Sequence, residues 1–224
     1  MTWQPDNLKL THPYRDWELH SQSAELTWWQ DHPPPSLQEA IEQSTALLDR
    51  WGFALDQFAN ANVIDVGCGP TGRLSAFSGG NFVAVDPLIR KYATIGAPLK
   101  RYRQWFECPA ERRIVDLENW ADAIFSINAL DHGFDFCAAI INLRSCLRLG
   151  GLLFLSMGVD NPHAPDHAHP LRVTNEFVTR FLTVVGFSVD RISRGRSYLH
   201  PDGTWQDTYS GGPAYHWWAV KTDA

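Results

Sequence analysis

The chain has little positive charge. Lysine and arginine contribute 19 residues against 25 aspartates and glutamates, which gives a formal net charge of −6. Proteins that bind nucleic acids usually present a basic face to the phosphate groups. We therefore expect no nucleic-acid partner.

Cysteine is scarce as well, and its spacing matches neither a zinc site nor a disulfide framework. The four residues are Cys68, Cys108, Cys137 and Cys146. We expect them to be free thiols in a reducing compartment. The longest apolar run, residues 152–159, is too short to span a bilayer. Because no apolar core follows the first residues, we expect no signal peptide, no membrane association and a cytoplasmic location.

Tryptophan is abundant, with ten residues, and most of them lie near the two ends of the chain. A hydrophobic content of 44% supports a sizeable core, and no linker or repeat divides the chain. We expect a Trp-rich cap over residues 1–35, with a helix over 14–30 that ends before three prolines, and one α/β domain over residues 36–224. The cap helix either packs on the core or closes over a substrate pocket.

The rest of the chain is organised around residues 63–72. The β-branched residues of 63–66 predict a buried strand, and three glycines follow at positions where the backbone must turn sharply. We expect a short helix to begin near Thr71. The pattern Gly67-x-Gly69-x-x-Gly72 also fits the dinucleotide-binding fingerprint, so a dinucleotide-dependent oxidoreductase is one interpretation.

Two acidic residues favour a different ligand. Asp65 lies at the end of the first strand, where its negative charge would repel a pyrophosphate and favour a cationic group or an N–H donor. Asp86 follows the next predicted strand, residues 81–85, where a carboxylate can accept hydrogen bonds from both hydroxyls of a ribose.

Further elements follow from periodicity and capping patterns. Ser36 and Glu39 match a capping box, and helical spacing continues to Trp51 before Gly52. A helix over 134–147 should turn Ile140, Ile141 and Leu143 towards the sheet. The other predicted elements are a helix over 87–94, strands over 102–107, 123–127 and 152–157, a helix over 174–185, and two C-terminal strands over 187–193 and 214–220 that are joined by a turn near residues 202–203.

Five motifs follow one another along the chain: Asp65-x-Gly67-x-Gly69-x-x-Gly72, Val83 to Leu88, Ala110-Glu111, Asn128 to His132 and Leu147 to Leu152. In this the sequence resembles the class I S-adenosylmethionine-dependent methyltransferases, closest to the small type-11 group. The resemblance implies a doubly wound, seven-stranded, mostly parallel Rossmann-like sheet with an antiparallel C-terminal strand. It implies S-adenosylmethionine as cofactor, held by Asp65, Gly67, Cys68, Gly69, Gly72, Asp86, Pro87, Ala110, Glu111 and Asn128. The alternatives are the oxidoreductase and a non-catalytic cofactor-binding domain.

Histidines supply the candidate catalytic residues. His132 follows the predicted fourth strand and has a suitable intrinsic pKa for a general base. His169-Pro170 matches a pair that lines the acceptor site in the resembled group. The expected acceptor is a small molecule methylated on a hydroxyl oxygen, without a metal.

Two metal arrangements are weaker alternatives: zinc bound by His163, His167 and His169, or magnesium bound by Asp131, Asp160 and Asn161. The oligomeric state is left open.

Overall fold

A computed structural model describes residues 13–163, 165–166, 169–195, 198–199, 204–209 and 212–223. Predictions that concern residues 1–12, His167 and the turn near residues 202–203 lie outside this description. Within it, no helix is long and apolar enough to cross a membrane.

The helices and strands alternate along most of the chain. The helices are α1 Pro13–Asp16, α2 Gln22–Asp31, α3 Leu37–Trp51, α4 Ile89–Thr94, α5 Phe136–Cys146 and α6 Asn175–Val184, with a π-helical turn at Trp17–Ser21. Short 3₁₀ turns are Leu99–Arg101, Val115–Leu117 and Leu130–His132. The strands are β1 Asn62–Val66, β2 Asn81–Val85, β3 Gln104–Phe106, β4 Ala121–Ile127, β5 Leu147–Gly158, β6 Phe187–Arg194, β7 Tyr198–Leu199, β8 Trp205–Gln206, β9 Thr208–Tyr209 and β10 Gly212–Lys221.

Seven strands form the main sheet in the order β3-β2-β1-β4-β5-β10-β6, and β9 pairs with the start of β10. Strands β1 to β5 run parallel, whereas β10 is antiparallel to both β5 and β6. The predicted fold class is therefore confirmed. Strands β2 and β3 lie on one side of β1, and β4 and β5 lie on the other, so the strand order reverses at β1. Open α/β sheets bind ligands in the crevice at such a point.

Both faces of the central strands are buried, which explains their continuous apolar character. Neighbouring residues of β1 face opposite sides: Ile64 belongs to one apolar cluster and Val63 to the other. Helices α5 and α6 cover the first face, and α3 covers the second with Leu47, Leu48 and Trp51. This arrangement leaves the carboxyl ends of the parallel strands as the accessible edge of the sheet.

Helix α3 confirms its sequence pattern. The Ser36 side chain accepts a hydrogen bond from Glu39 N, and the Glu39 carboxylate accepts one from Ser36 N at 2.8 Å. Gly52 ends the helix in the left-handed region, with φ of 82°. The same pairing of a polar cap with a terminal glycine is what the sequence predicted.

Two local predictions are wrong. The segment after the glycines forms a series of turns rather than a helix near Thr71, because the glycines at 67, 69 and 72 all adopt positive φ. In α5, Ile140 and Leu143 are buried, but Ile141 is 54% exposed. Successive residues of a helix point about 100° apart, so Ile140 and Ile141 cannot both face the sheet.

The buried histidine on β10 has a structural role. His216 on β10 is 1% exposed and contacts the Ser156 hydroxyl and the Gly195 carbonyl, each at 2.8 Å. Burial lowers the pKa of His216 to about 4. The ring is therefore neutral at pH 7 and satisfies both neighbours as one donor and one acceptor.

Candidate functional site

The glycine turn after β1 lies against the end of β4. Gly67 has a φ of +63°, and a Cβ atom added there would lie 2.2 Å from the Cβ of Ala129. Gly69 has a φ of +54° but open space where a Cβ would stand. Gly67 therefore permits the contact between the two strand ends, whereas Gly69 lets the backbone face the crevice.

Asp86, directly after β2, anchors this turn. Its Oδ2 atom accepts a hydrogen bond from Gly69 N at 3.0 Å and its Oδ1 atom accepts one from Leu88 N at 2.8 Å. The side chain is 4% exposed, and burial raises the pKa of Asp86 to about 6. A carboxylate of this kind sets the position of the turn and can accept further hydrogen bonds from a ligand.

Asp65 lies beneath the crevice rather than in its wall. It is 2% exposed, and its Oδ2 atom accepts a hydrogen bond from the Tyr102 hydroxyl at 2.5 Å. Burial raises the pKa of Asp65 to about 7, the hydrogen bond from Tyr102 opposes that shift, and the charge of Asp86 adds to it. Neither Asp65 nor Gly72 is among the residues that line the cavity.

The cavity itself lies at the carboxyl ends of β1, β2 and β4. Eight of the ten predicted cofactor residues line it: Gly67, Cys68, Gly69, Asp86, Pro87, Ala110, Glu111 and Asn128. His132 lines it as well, at the side where the loop after β4 begins. The other wall belongs to the N-terminal segment, through Trp17, Gln22, Glu25 and Trp29.

Two amide side chains on this cavity have a buried oxygen with no hydrogen-bond partner among the described residues. They are Gln22 Oε1 from the N-terminal segment and Asn128 Oδ1 from the end of β4. A buried acceptor without a partner costs about 1–3 kcal/mol. The cavity is therefore suited to a ligand that brings N–H donors, such as an ammonium group or an exocyclic amine.

Glu111 is more constrained than the sequence suggested. Its Oε1 atom accepts hydrogen bonds from Phe134 N at 2.8 Å and Asp135 N at 3.1 Å, which ties the loop after β3 to the start of α5. Asn142 donates to the Glu111 carbonyl and fixes the same loop. Burial raises the pKa of Glu111. One carboxylate oxygen thus already has a structural task, which leaves Oε2 for the predicted contact with the cofactor.

The N-terminal segment closes over the cavity by specific contacts. Trp17 is 6% exposed, and its indole N–H donates to the His132 carbonyl at 2.6 Å. Its ring also lies 5.2 Å from the ring of Phe134. Trp29 donates to Glu25 Oε1 at 2.7 Å, and Glu25 Oε2 lies 3.8 Å from His132 Nδ1. The segment therefore forms part of the site, whereas Trp28 is half exposed beside it.

The two predicted catalytic histidines meet. The rings of His132 and His169 lie 4.5 Å apart, and one potential ligand atom from each of Asp131, His132 and His169 lies within 4.8 Å of the others. We call these three residues the histidine cluster. Among the described residues it is the only such group of three or more His, Cys, Asp or Glu side chains.

The alternative magnesium arrangement has other local contacts. Asp160 Oδ1 accepts a hydrogen bond from Asn175 N at 3.3 Å, and Asn161 Oδ1 accepts one from His163 N at 2.9 Å. Both side chains thus stabilise turns of the loop between β5 and α6. His163 is exposed and does not belong to the histidine cluster.

Sequence reasoning missed part of the cavity wall. It predicted a cap helix over residues 14–30 that packs on the core or closes over a substrate pocket, but it did not single out Gln22 or Glu25. The available signal was the position of these two polar residues among the tryptophans of one helical segment. The four cysteines are free, as predicted.

Solved structures of several proteins are similar to this chain. A Burkholderia thailandensis 1,6-didemethyltoxoflavin-N1-methyltransferase, solved with bound 1,6-didemethyltoxoflavin and S-adenosylhomocysteine, is 18% identical, with a TM-score of 0.58 over 100% of this chain and 93% of that chain. An S-adenosylmethionine-dependent methyltransferase from Mesorhizobium loti is 15% identical, with a TM-score of 0.60 over 83% and 100%. The [4+2]-cyclase SpnF is 14% identical, with a TM-score of 0.58 over 84% and 82%.

No protein-family model and no curated protein sequence matches the chain. At identities below 20% the likeness to these structures concerns the fold and not the reaction. The chain has the Rossmann-like fold that these S-adenosylmethionine-dependent methyltransferases share.

Proposed function

We propose that this protein transfers a methyl group from S-adenosylmethionine to a hydroxyl oxygen of a small-molecule acceptor. The observation that carries the proposal is the cavity at the carboxyl ends of β1, β2 and β4, which has the glycine turn on its floor and His132 at its acceptor side. Two of the structures with this fold are described as methyltransferases that use the cofactor or bind its product, and they add support. The [4+2]-cyclase shows that the fold alone does not decide the reaction.

The residues of the cavity fit the cofactor. Asp86 can accept hydrogen bonds from ribose hydroxyls while it holds the glycine turn. Asn128 Oδ1 and Gln22 Oε1 are acceptors that suit the ammonium group and the adenine amine. When bound, S-adenosylmethionine supplies an electrophilic methyl group on a positively charged sulfur.

The chain must then hold the acceptor oxygen in line with that methyl group, and this positioning supplies much of the rate. His132 and His169 lie together beside the cavity and are assigned to the acceptor hydroxyl, whose proton must leave when oxygen attacks. Trp17 and Trp29 cover the same region and would exclude water from the reacting atoms.

The test has two stages. Calorimetric titration of the full chain with S-adenosylhomocysteine and, separately, NADH identifies the cofactor, and we expect binding of the first alone. Methyl-labelled S-adenosylmethionine is then incubated with a panel of small hydroxyl compounds, and labelled product and S-adenosylhomocysteine are measured together. Binding of NADH instead would favour the oxidoreductase. Cofactor binding without turnover of any acceptor would favour the non-catalytic domain.

Variants assign the histidines. We expect His132→Ala and His169→Ala to bind S-adenosylhomocysteine within about tenfold of the wild type and to lose about 10²-fold or more in turnover, the usual contribution of proton transfer. His163→Ala, on the same loop as His169 but outside the histidine cluster, is the matched control and should keep both properties. Normal turnover in both cluster variants would contradict the assignment.

A further inference from the structure

The histidine cluster has the composition of a metal site. Asp131, His132 and His169 supply one carboxylate and two imidazoles, and the potential ligand atoms lie within 4.8 Å of one another. Imidazole and carboxylate ligands suit zinc and neighbouring divalent transition metals. Three protein ligands also leave one position of a tetrahedral metal for water or substrate.

Two hydrogen bonds order the backbone around the cluster. Asp131 and His132 lie in the 3₁₀ turn at the end of β4, and the Asp131 carbonyl accepts a hydrogen bond from Leu171 N at 3.4 Å. Arg172 donates to the His169 carbonyl at 2.8 Å. The first contact joins the His169 loop to the β4 turn, and the second orders the loop itself, so the three side chains lie close together without an ion.

A second carboxylate orients His169. Asp166 Oδ1 lies 3.2 Å from His169 Nδ1 and also accepts a hydrogen bond from His169 N at 2.7 Å. A carboxylate only accepts, so Nδ1 carries the proton and Nε2 keeps its lone pair for another partner. Metal-binding histidines commonly donate their second ring nitrogen to a carboxylate in this way.

The charges beside the cluster agree with this arrangement. Glu25 Oε2 lies 3.8 Å from His132 Nδ1 and adds a second negative charge beside the cluster. The carboxylates of Asp131 and Glu25 beside the two imidazoles favour a divalent cation over an anion.

We propose that Asp131, His132 and His169 bind one divalent transition-metal ion, with zinc as the best match, at the acceptor side of the cavity. Zinc–nitrogen bonds of about 2.1 Å place tetrahedral ligand atoms roughly 3.4 Å apart. The widest separation of 4.8 Å must therefore close on binding, by roughly 1.4 Å, which side-chain rotation can supply. This inference departs from the metal-free site that the sequence led us to expect.

The role of the ion rests on the proposed function. A divalent ion held by these three residues would lower the pKa of an acceptor hydroxyl beside it, and the proton of that hydroxyl would pass to solvent. The acceptor oxygen then forms a bond to the methyl carbon as the carbon–sulfur bond breaks, and that electron pair stays on sulfur. One methyl ether, one S-adenosylhomocysteine and one proton result. His132 and His169 then act as ligands rather than as bases.

The experiment uses the full chain freed of metal by chelation. Calorimetric titration with Zn²⁺ should give one site per chain, and Co²⁺ should give visible absorption bands of a nitrogen- and oxygen-ligated ion. His132→Ala and His169→Ala should weaken Zn²⁺ binding by about 100-fold or more. Asp166→Ala should weaken it by about 10- to 100-fold, as loss of an orienting carboxylate does elsewhere. His163→Ala should bind within twofold of the wild type.

Several results would overturn the inference. Absence of one-site Zn²⁺ binding to the folded wild type would do so, and so would equal loss of binding in His163→Ala and His169→Ala. Circular dichroism confirms that each variant is folded, and the two histidine variants cover the case in which one does not fold. S-adenosylhomocysteine binding, measured on the same metal-free protein, separates the two proposals. If it binds and Zn²⁺ does not, the proposed function stands and the metal site fails.

Discussion

Replacement of Asp86 by asparagine tests the floor of the cofactor cavity. In the folded chain both carboxylate oxygens are in use, Oδ2 for Gly69 N at 3.0 Å and Oδ1 for Leu88 N at 2.8 Å. Asparagine has the same shape, but one of its two terminal atoms donates instead of accepting. Either the glycine turn or a ribose hydroxyl of the cofactor therefore loses its acceptor.

The size of the effect follows from the charge of the acceptor. Hydrogen bonds to charged groups contribute about 1.5–3 kcal/mol, and about 1.4 kcal/mol corresponds to a factor of ten in affinity. We expect Asp86→Asn to bind S-adenosylhomocysteine roughly 10- to 150-fold more weakly, measured by calorimetry at pH 7.5. Asp116→Asn, a change of the same kind at an exposed position, is the control. A folded Asp86→Asn protein with unchanged affinity would refute the assignment of this carboxylate.

Asp86→Asn should also change how the free energy of unfolding depends on pH. Burial raises the pKa of Asp86 from 3.8 to about 6, so the folded chain holds this proton more tightly than the unfolded chain. The free energy of unfolding should therefore fall as pH rises from about 4 to 6, by on the order of 3 kcal/mol from this group. Asp86→Asn should remove that part of the slope in urea titrations. An equal dependence of the free energy of unfolding on pH in the two proteins would show that the pKa of Asp86 is not raised in the folded chain.

Three further predictions concern the core and the turn. Gly67→Ala should unfold at clearly lower urea than Gly69→Ala, because only the Cβ at position 67 would clash, at 2.2 Å; equal midpoints would contradict the close approach. Tyr102→Phe should lower the free energy of unfolding at pH 8 by about 1–3 kcal/mol, because it removes the 2.5 Å hydrogen bond to the buried Asp65. A change below about 0.3 kcal/mol would refute a stabilising role for this hydrogen bond. Burial lowers the pKa of His216 from 6.5 to about 4, so the neutral ring stabilises the fold fully above pH 6.5, and this contribution is lost as pH falls towards 4. His216→Gln should therefore lose less stability than the wild type as the pH falls over this range. An unchanged dependence of stability on acid pH would contradict the prediction.

Local sequence patterns predicted most of the framework. Alternation of apolar strands with amphipathic helices gave the order of elements, and the capping box with Gly52 gave the limits of α3. The three glycines after β1 indicated a sharp turn, although not that the turn would replace the expected helix near Thr71. Such features depend on backbone conformation and on neighbours close in the chain, so a single sequence carries them directly.

The roles of individual polar side chains were less accessible. Asp65 was expected to face the ligand, but it turns beneath the floor to accept from Tyr102, which is 37 positions away in the sequence. Glu111 was expected to bind the cofactor, but one of its oxygens accepts hydrogen bonds from the start of α5. A strand-end position fixes where a Cα atom lies, whereas the rotamer and the partner depend on segments that arrive from elsewhere.

The sequence by itself determined the mixed sheet, the glycine turn at its switch point and the presence of histidines near the carboxyl ends of the strands. Only the tertiary structure decided that Trp17 donates to the carbonyl of His132 across 115 positions, and that His169 joins Asp131 and His132 in one cluster. The physical reason is the range of the interactions. Hydrogen-bond patterns within helices and strands repeat over a few residues, whereas these contacts depend on how loops fold back across the edge of the sheet.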